Sequence, residues 1–376
     1  MHPSRLLLLF LLLPMVLAHP RAGAQSGGAL DIYLQTDYRS AEQTLDLYRG
    51  LGGRPAEVAR LRGSQIALAT TSLLAQRPFD QATLERHLEA AKFNQRMGDD
   101  VFLMAEARQH EAEIRELLVE MQRRNFGQRV VSTVAQLFPA SAQVRTRVPL
   151  YFVAFGHRNI DAFVRRVVWR GDTPQFVGEG EGELSIVVNL AKAVSYGEST
   201  DERFLHVLSV VAHEVFHAAF GAYKDVSPEW RQYYARATTP FDQLLDIAQN
   251  EGVAYYLSLI QSSRGRFTAA GEQKVRSAFE QFNRNAEELL DARTPPGRAM
   301  DILRRANTSS YWENYGSIAG MIVARQIDQT SGRAGLSETL TTGPMVFFRK
   351  YAELCRNDNS LPPLSHPVLE ALARRR

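Results

Sequence analysis

The chain has 376 residues, 45% of them hydrophobic and 23% charged, and a formal net charge of +3. That length and apolar content suffice for a large buried core and for two domains, and the ordinary charge content leaves no long tract that reads as disordered. The near balance of acids and bases excludes nucleic acid as an expected partner, and a single cysteine, Cys355, excludes an intrachain disulfide.

Residues 1–24 read as an export leader. Arg5 supplies the positive start, Leu6 to Leu13 form an almost pure Leu/Phe run, and Ala22-Gly23-Ala24 fits the small-x-small cleavage pattern, with the cut before Gln25. The run is shorter than the ~20 residues of a membrane span, and no later segment reads as long and apolar enough to be one. Cleavage removes Arg5 and Arg21 and no acid, so the mature chain carries +1. The expected location is the periplasm or the medium, without stable membrane insertion.

Residues 25–145 are expected to form a helical N-terminal region. Ile114, Leu117, Leu118 and Met121 recur at helical spacing with charges between them, and Pro55, Pro78, Gly98 and Gly127 punctuate the segment. A second region is expected over 146–376. Val148–Phe155, ended by Gly156, reads as a strand, as do Val167–Trp169 and the β-branched run Leu184–Leu190. The Gly178–Gly182 stretch reads as a flexible loop without calcium-loop spacing. Ser199 and Glu202 make a capping-box pair that opens a helix to about Ala222. Thr239 and Asp242, with Pro240 at the first helical position, open another to about Gln261. Gly316–Gln329 and Pro344–Leu354 read as later helices. The pattern predicts an α+β fold, mainly helical, with a small sheet preceding an active-site helix.

That helix carries His213-Glu214-Val215-Phe216-His217. At 3.6 residues per turn the two histidines lie about 40° apart, so both imidazoles leave one face and can share one tetrahedral Zn2+. Glu214 projects near the same edge. It is placed to reach a water on the ion rather than the ion itself, and to act as its general base.

A third ligand has to come from elsewhere. Tyr223 and Phe220 occupy the positions where one zincin pattern has a histidine and a glycine, so that pattern fails. Glu251 fits better. Leu244, Ile247, Ala248, Ala254 and Tyr255 all fall within about 60° of it on a helical wheel, so it is the charge inside an apolar stripe. A carboxylate there is costly unless a cation meets it, and zinc would be that cation. Asp225, Glu229 and Asp246 are the alternatives.

His213-Glu214-Val215-Phe216-His217, followed by Asn250-Glu251-Gly252-Val253-Ala254-Tyr255, resembles the gluzincin metallopeptidases, and within them the peptidase-MA-like bacterial families of zinc-dependent peptidases. Tyr315-Gly316 before the helix Ser317–Gln329, then Gly332, Leu336 and Leu340, extends the resemblance over roughly Val148 to Tyr351. The gap from His217 to Glu251 is longer than in thermolysin-like members. The resemblance implies a zincin-like catalytic unit and an edge strand that pairs with extended substrate, for which Leu184–Leu190 is the candidate. Tyr315 reads either as a donor to a developing oxyanion, the task of a Tyr or His in such sites, or as an ordinary packing residue.

His206 lies on the His213 face but two turns away, and reads as a wall or core residue. His87, His110, His157 and His366 lack ligand spacing. Tyr255 and Tyr256 read as core, Asn250 as a residue that positions Glu251, and Cys355 as packing. The expected activity is zinc-dependent hydrolysis of a peptide or protein. The rivals are a zinc hydrolase of a non-peptide substrate and a periplasmic binding or scaffold protein with a vestigial metal site. Glu214 argues against the last, since structural zinc needs no base.

Overall fold

The computed structural model describes residues 30–95, 97–178, 181–263, 269–307 and 313–374. The leader and the Glu179-Gly180 part of the glycine-rich loop lie outside them. A strand, β1 (Leu30–Asp37), opens the chain. Helices α1 (Arg39–Tyr48), α2 (Pro55–Arg60), α3 (Arg62–Leu74), α4 (Gln81–Lys92), α5 (Met104–Gln109), α6 (Glu111–Arg123) and α7 (Phe126–Ala135) follow. Strands β2 (Val144–Val153), β3 (Ala162–Arg170), β4 (Thr173–Val177) and β5 (Glu183–Asn189) come next, then the short α8 (Leu190–Ala193) and a 3-10 turn at Val194–Tyr196. The remainder is helical: α9 (Thr200–Val226), α10 (Pro228–Arg236), α11 (Pro240–Ser263), α12 (Ala269–Leu290), α13 (Pro296–Arg305), α14 (Tyr315–Thr342), α15 (Pro344–Asn357) and α16 (His366–Arg374).

This is the expected mainly helical α+β fold with one small sheet ahead of the histidine helix. Both expected capping boxes form. Glu202 N donates to Ser199 Oγ at 3.2 Å while Ser199 N donates to Glu202 Oε2 at 3.1 Å. Thr239 and Asp242 repeat the exchange at 3.1 and 3.3 Å. Each pair satisfies backbone donors that a helix start leaves open.

Two expectations about strands are corrected. Leu30–Asp37, expected within a helical region, is β1, because its strand partner comes from more than a hundred residues downstream and leaves no local trace. Leu184–Leu190, the expected edge strand, is not at an edge. The strand order β1-β2-β5-β3-β4 puts β5 in the middle, parallel to β2 (Tyr151 opposite Val187) and antiparallel to β3 (Phe163 opposite Val187). Burial on both faces explains why Ile186, Val187 and Val188 follow one another without polar alternation. β4 pairs with β3 only over Arg166–Arg170, so the outer edge of β3 from Ala162 to Arg165 has no strand partner among the described residues.

The described residues form two compact units, one of Tyr33–Val131 and Arg147–Glu214, the other chiefly of Ser132–Thr146 and the chain from Val215 onward. In the first, Phe126 meets Phe152 and Phe204 edge-on at 5.7 Å, and Phe152 stacks on Tyr38 at 4.8 Å. In the second, Phe216 and Phe220 pack with Phe138, and Trp230 packs edge-on to Phe220 at 5.3 Å while its indole N–H donates to Leu340 O at 2.7 Å. The boundary falls inside α9, after Glu214. Contrary to the sequence expectation, α9 is long and apolar enough to cross a membrane, with 67% of its most apolar stretch buried. Its apolarity has a packing cause, since Phe204, Leu208, Val211, Val215, Phe216 and Phe220 all lie in the protein core.

Within the second unit α11 and α14 pack backbone to backbone. A Cβ on Gly320 would overlap the carbonyl oxygen of Ala248, and one on Gly252 would overlap the backbone of Gly320. Only glycine fits either position. Gly320→Ala is expected to push α14 off α11 and to lower stability by about 3 kcal/mol, the upper range for overpacking a close contact. Urea unfolding followed by circular dichroism checks this; an unchanged midpoint would show that the helices can part without cost.

Candidate metal centre

His213, Glu214 and His217 sit near the middle of α9, and Glu251 near the middle of α11. His213, Glu214 and Glu251 are buried and His217 is nearly so. One donor atom from each of His213, His217 and Glu251 lies within 4.8 Å of the others. His217 Nε2 is 3.4 Å from Glu251 Oε2. The structure thus brings the three expected ligands into one buried group, which could hold a metal ion. The donor set suits zinc, with two borderline nitrogens and one oxygen on rigid helices. The 3.4 Å spacing is close to the ~3.3 Å edge of a tetrahedron of ligands at ~2.05 Å. A cation there also answers the cost of burying a carboxylate between two imidazoles.

Asn250 does something other than the sequence suggests. Its Oδ1 lies 3.2 Å from His217 Nδ1, so it positions the histidine rather than Glu251. With Nδ1–H donating to Asn250, Nε2 is left as the lone-pair nitrogen, and Nε2 is the atom that faces Glu251. Three consecutive residues of α11 therefore have three tasks. Asn250 orients a ligand, Glu251 offers a carboxylate, and Gly252 lets α14 approach closely enough to fix the helix. Asn250→Ala should weaken zinc affinity by roughly 10- to 100-fold, as expected for losing such an orienting bond. Competition against a zinc indicator measures it, and Asn250→Asp, which keeps an acceptor, should recover most of the loss. Equal affinity in wild type and Asn250→Ala would show that the tautomer is set otherwise.

The alternative ligands lie elsewhere. Asp246 is held by Lys224 Nζ at 2.5 Å and by the Tyr234 hydroxyl at 3.0 Å. Glu229 accepts from the Ser227 hydroxyl at the start of α10, and Asp225 is exposed. The His206 ring stacks on Tyr196 with centroids 3.9 Å apart, and its Nε2 is 3.7 Å from Asp161 Oδ2. His87 is buried edge-on to Phe102, His110 lies near Glu113, His366 pairs with Glu370, and His157 N δ1 accepts from the Asn159 amide. Tyr255 accepts from Asn314 Nδ2, and Tyr256 donates to Asp328. Cys355 is half-buried, with its thiol pushed up in pKa by burial. Tyr315 is buried and its hydroxyl donates to Ile302 O at 2.7 Å; burial raises its pKa.

The chain matches a family model described as "Putative zinc dependent peptidase (DUF5700)" over residues 60–360, which takes in β2 to β5, α9, α11 and α14. Comparison with curated proteins and with solved structures gives no match.

Proposed function

The chain belongs to the family so described, and on that premise we propose that it is an exported zinc peptidase of the gluzincin type, with His213, His217 and Glu251 as ligands and Glu214 as general base. The observation that carries this reading is the buried convergence of two imidazoles and a carboxylate, next in sequence to a buried acid that the ligand set does not use. A purely structural site has no need of that acid.

Bound there, zinc supplies Lewis acidity toward a water molecule and a substrate carbonyl. The chain's own residues do the rest. Glu214 takes a proton from the attacking water on its carboxylate and passes it to the leaving nitrogen. Asn250 keeps His217 in one tautomer throughout. The edge of β3 at Ala162–Arg165, which has no strand partner among the described residues, replaces β5 as the strand offered to an extended peptide backbone. Tyr315 takes the oxyanion role in this reading only by exchanging the Ile302 carbonyl for it. Export rests on the leader-like pattern of residues 1–24.

Incubation with a mixed peptide library tests the activity. Cleavage products should appear, vanish with a chelator and return with added zinc. Products that persist undiminished under chelation would point to a contaminant or to another mechanism.

A further inference from the structure

Strand β3 carries a charge that the chemistry above leaves unused. Arg165 lies on β3 opposite Ser185 of β5, on the face that also holds Phe163 and Val167. Its Nη1 donates to Val164 O at 2.8 Å, and its Cζ is 5.7 Å from the centre of the Phe176 ring. No carboxylate of the described residues pairs with it, and of its five N–H donors only one is used in this way. The Oγ of Ser185, its cross-strand neighbour, is also buried without a partner.

This guanidinium feels the charge of Glu214, and the chain positions are in keeping with that. Asp161, just before β3, stands beside His206 of α9, 3.7 Å away. From Asp161 to Arg165 the strand advances about 13 Å, four residues at ~3.3 Å each. From His206 to Glu214 the helix advances about 12 Å, eight residues at ~1.5 Å each. The two advances from the Asp161–His206 contact are thus equal, which brings Arg165 and Glu214 level where strand and helix run the same way. The electrostatics agree: burial pulls the Arg165 pKa below its ordinary value, and the charge that offsets this is that of Glu214. The same residue ends the stretch of β3 that β4 leaves unpaired.

We propose that Arg165 is a specificity-determining residue, whose guanidinium binds a carboxylate of the peptide substrate beside the scissile bond. Glu214 offsets part of the cost of desolvating this half-buried guanidinium, but most of its donors stay unused, and a substrate carboxylate supplies the paired acceptors that suit its fork. A neutral isostere does not. The carboxylate can belong to an Asp or Glu side chain or to the peptide's C-terminus. The inference rests on the peptidase reading for the nature of its ligand.

The test uses peptide pairs that differ only as Glu against Gln at each position flanking the cleaved bond, each made as C-terminal acid and as amide. Zinc-loaded wild type should favour the anionic member by roughly 10- to 100-fold in kcat/KM, the worth of one charge-assisted pair. In Arg165→Met that ratio should fall to about one, mostly through KM, and Arg165→Lys should keep part of it. A ratio confined to the acid–amide arm assigns the C-terminus, and one confined to the Glu–Gln arm assigns a side chain. A wild type indifferent to charge overturns the proposal, and so does an Arg165→Met enzyme that slows on both members alike and keeps the wild-type ratio. If Arg165→Met does not fold, the wild-type ratio and Arg165→Lys decide. Calorimetric binding of the same pairs to zinc-loaded Glu214→Gln reads the preference without turnover. Absence of cleavage by wild type then counts against the peptidase reading alone, while equal binding of both members counts against Arg165.

Discussion

Replacing Glu214 by glutamine is expected to leave zinc bound and to cut turnover by about 10²–10⁴-fold, the usual loss on removing a general base. Glutamine keeps the size of the side chain and two hydrogen-bonding heads but cannot accept the proton of an attacking water. Glu214 is buried on the same helix as both histidines, so its amide replacement meets the same walls and should disturb neither His213 nor His217. The loss should fall on kcat with little change in KM, since the proton moves only in the transition state. Steady-state kinetics on one cleaved peptide, with zinc content measured on the same sample, checks this. A fully active Glu214→Gln enzyme would remove the base from the mechanism.

The second large effect concerns Glu251, and it differs in kind. Glu251→Ala removes one of three protein donors from a site in which the total binding free energy is on the order of 10–16 kcal/mol for four ligands. A proportionate share is about 3 kcal/mol, or more than a hundredfold in affinity. Affinity and activity should therefore fall together. The two carboxylates, 37 residues apart in the chain and both buried, thus fail differently: one loses the rate and keeps the metal, the other loses both.

Much of this site can be read in the sequence because its parts are periodic. Residues four apart on a helix share a face, so His213 and His217 announce a common ligand direction before any fold is known. Glu251 stands out as a charge in an apolar stripe. Asn250 carries no such mark, because its partner His217 is 33 residues away and only the packing of α9 with α11 joins them. Nothing local distinguishes the Tyr315 hydroxyl that meets Ile302 O from one that would meet substrate. Strands show the same divide. The apolar run of β5 is visible as a strand, but whether a strand is central or at an edge depends on which others pair with it, and those come from distant segments. β1 carries no local mark for the same reason. The apolarity of α9, which exceeds what the sequence reading allowed, is intelligible only once the aromatic side chains packed on it are known. Gly252 and Gly320 look like ordinary helix glycines until the close approach of α11 and α14 gives each a reason.

The most direct measurement is the zinc content of protein purified without chelators, taken by elemental analysis on wild type and Glu251→Ala together. The account predicts about one zinc per chain in wild type, retained through dialysis, and a strongly depleted variant that regains metal only at high free zinc. Wild-type protein that holds no zinc even after reconstitution, or a Glu251→Ala protein that holds it as tightly as wild type, would contradict the His213–His217–Glu251 site.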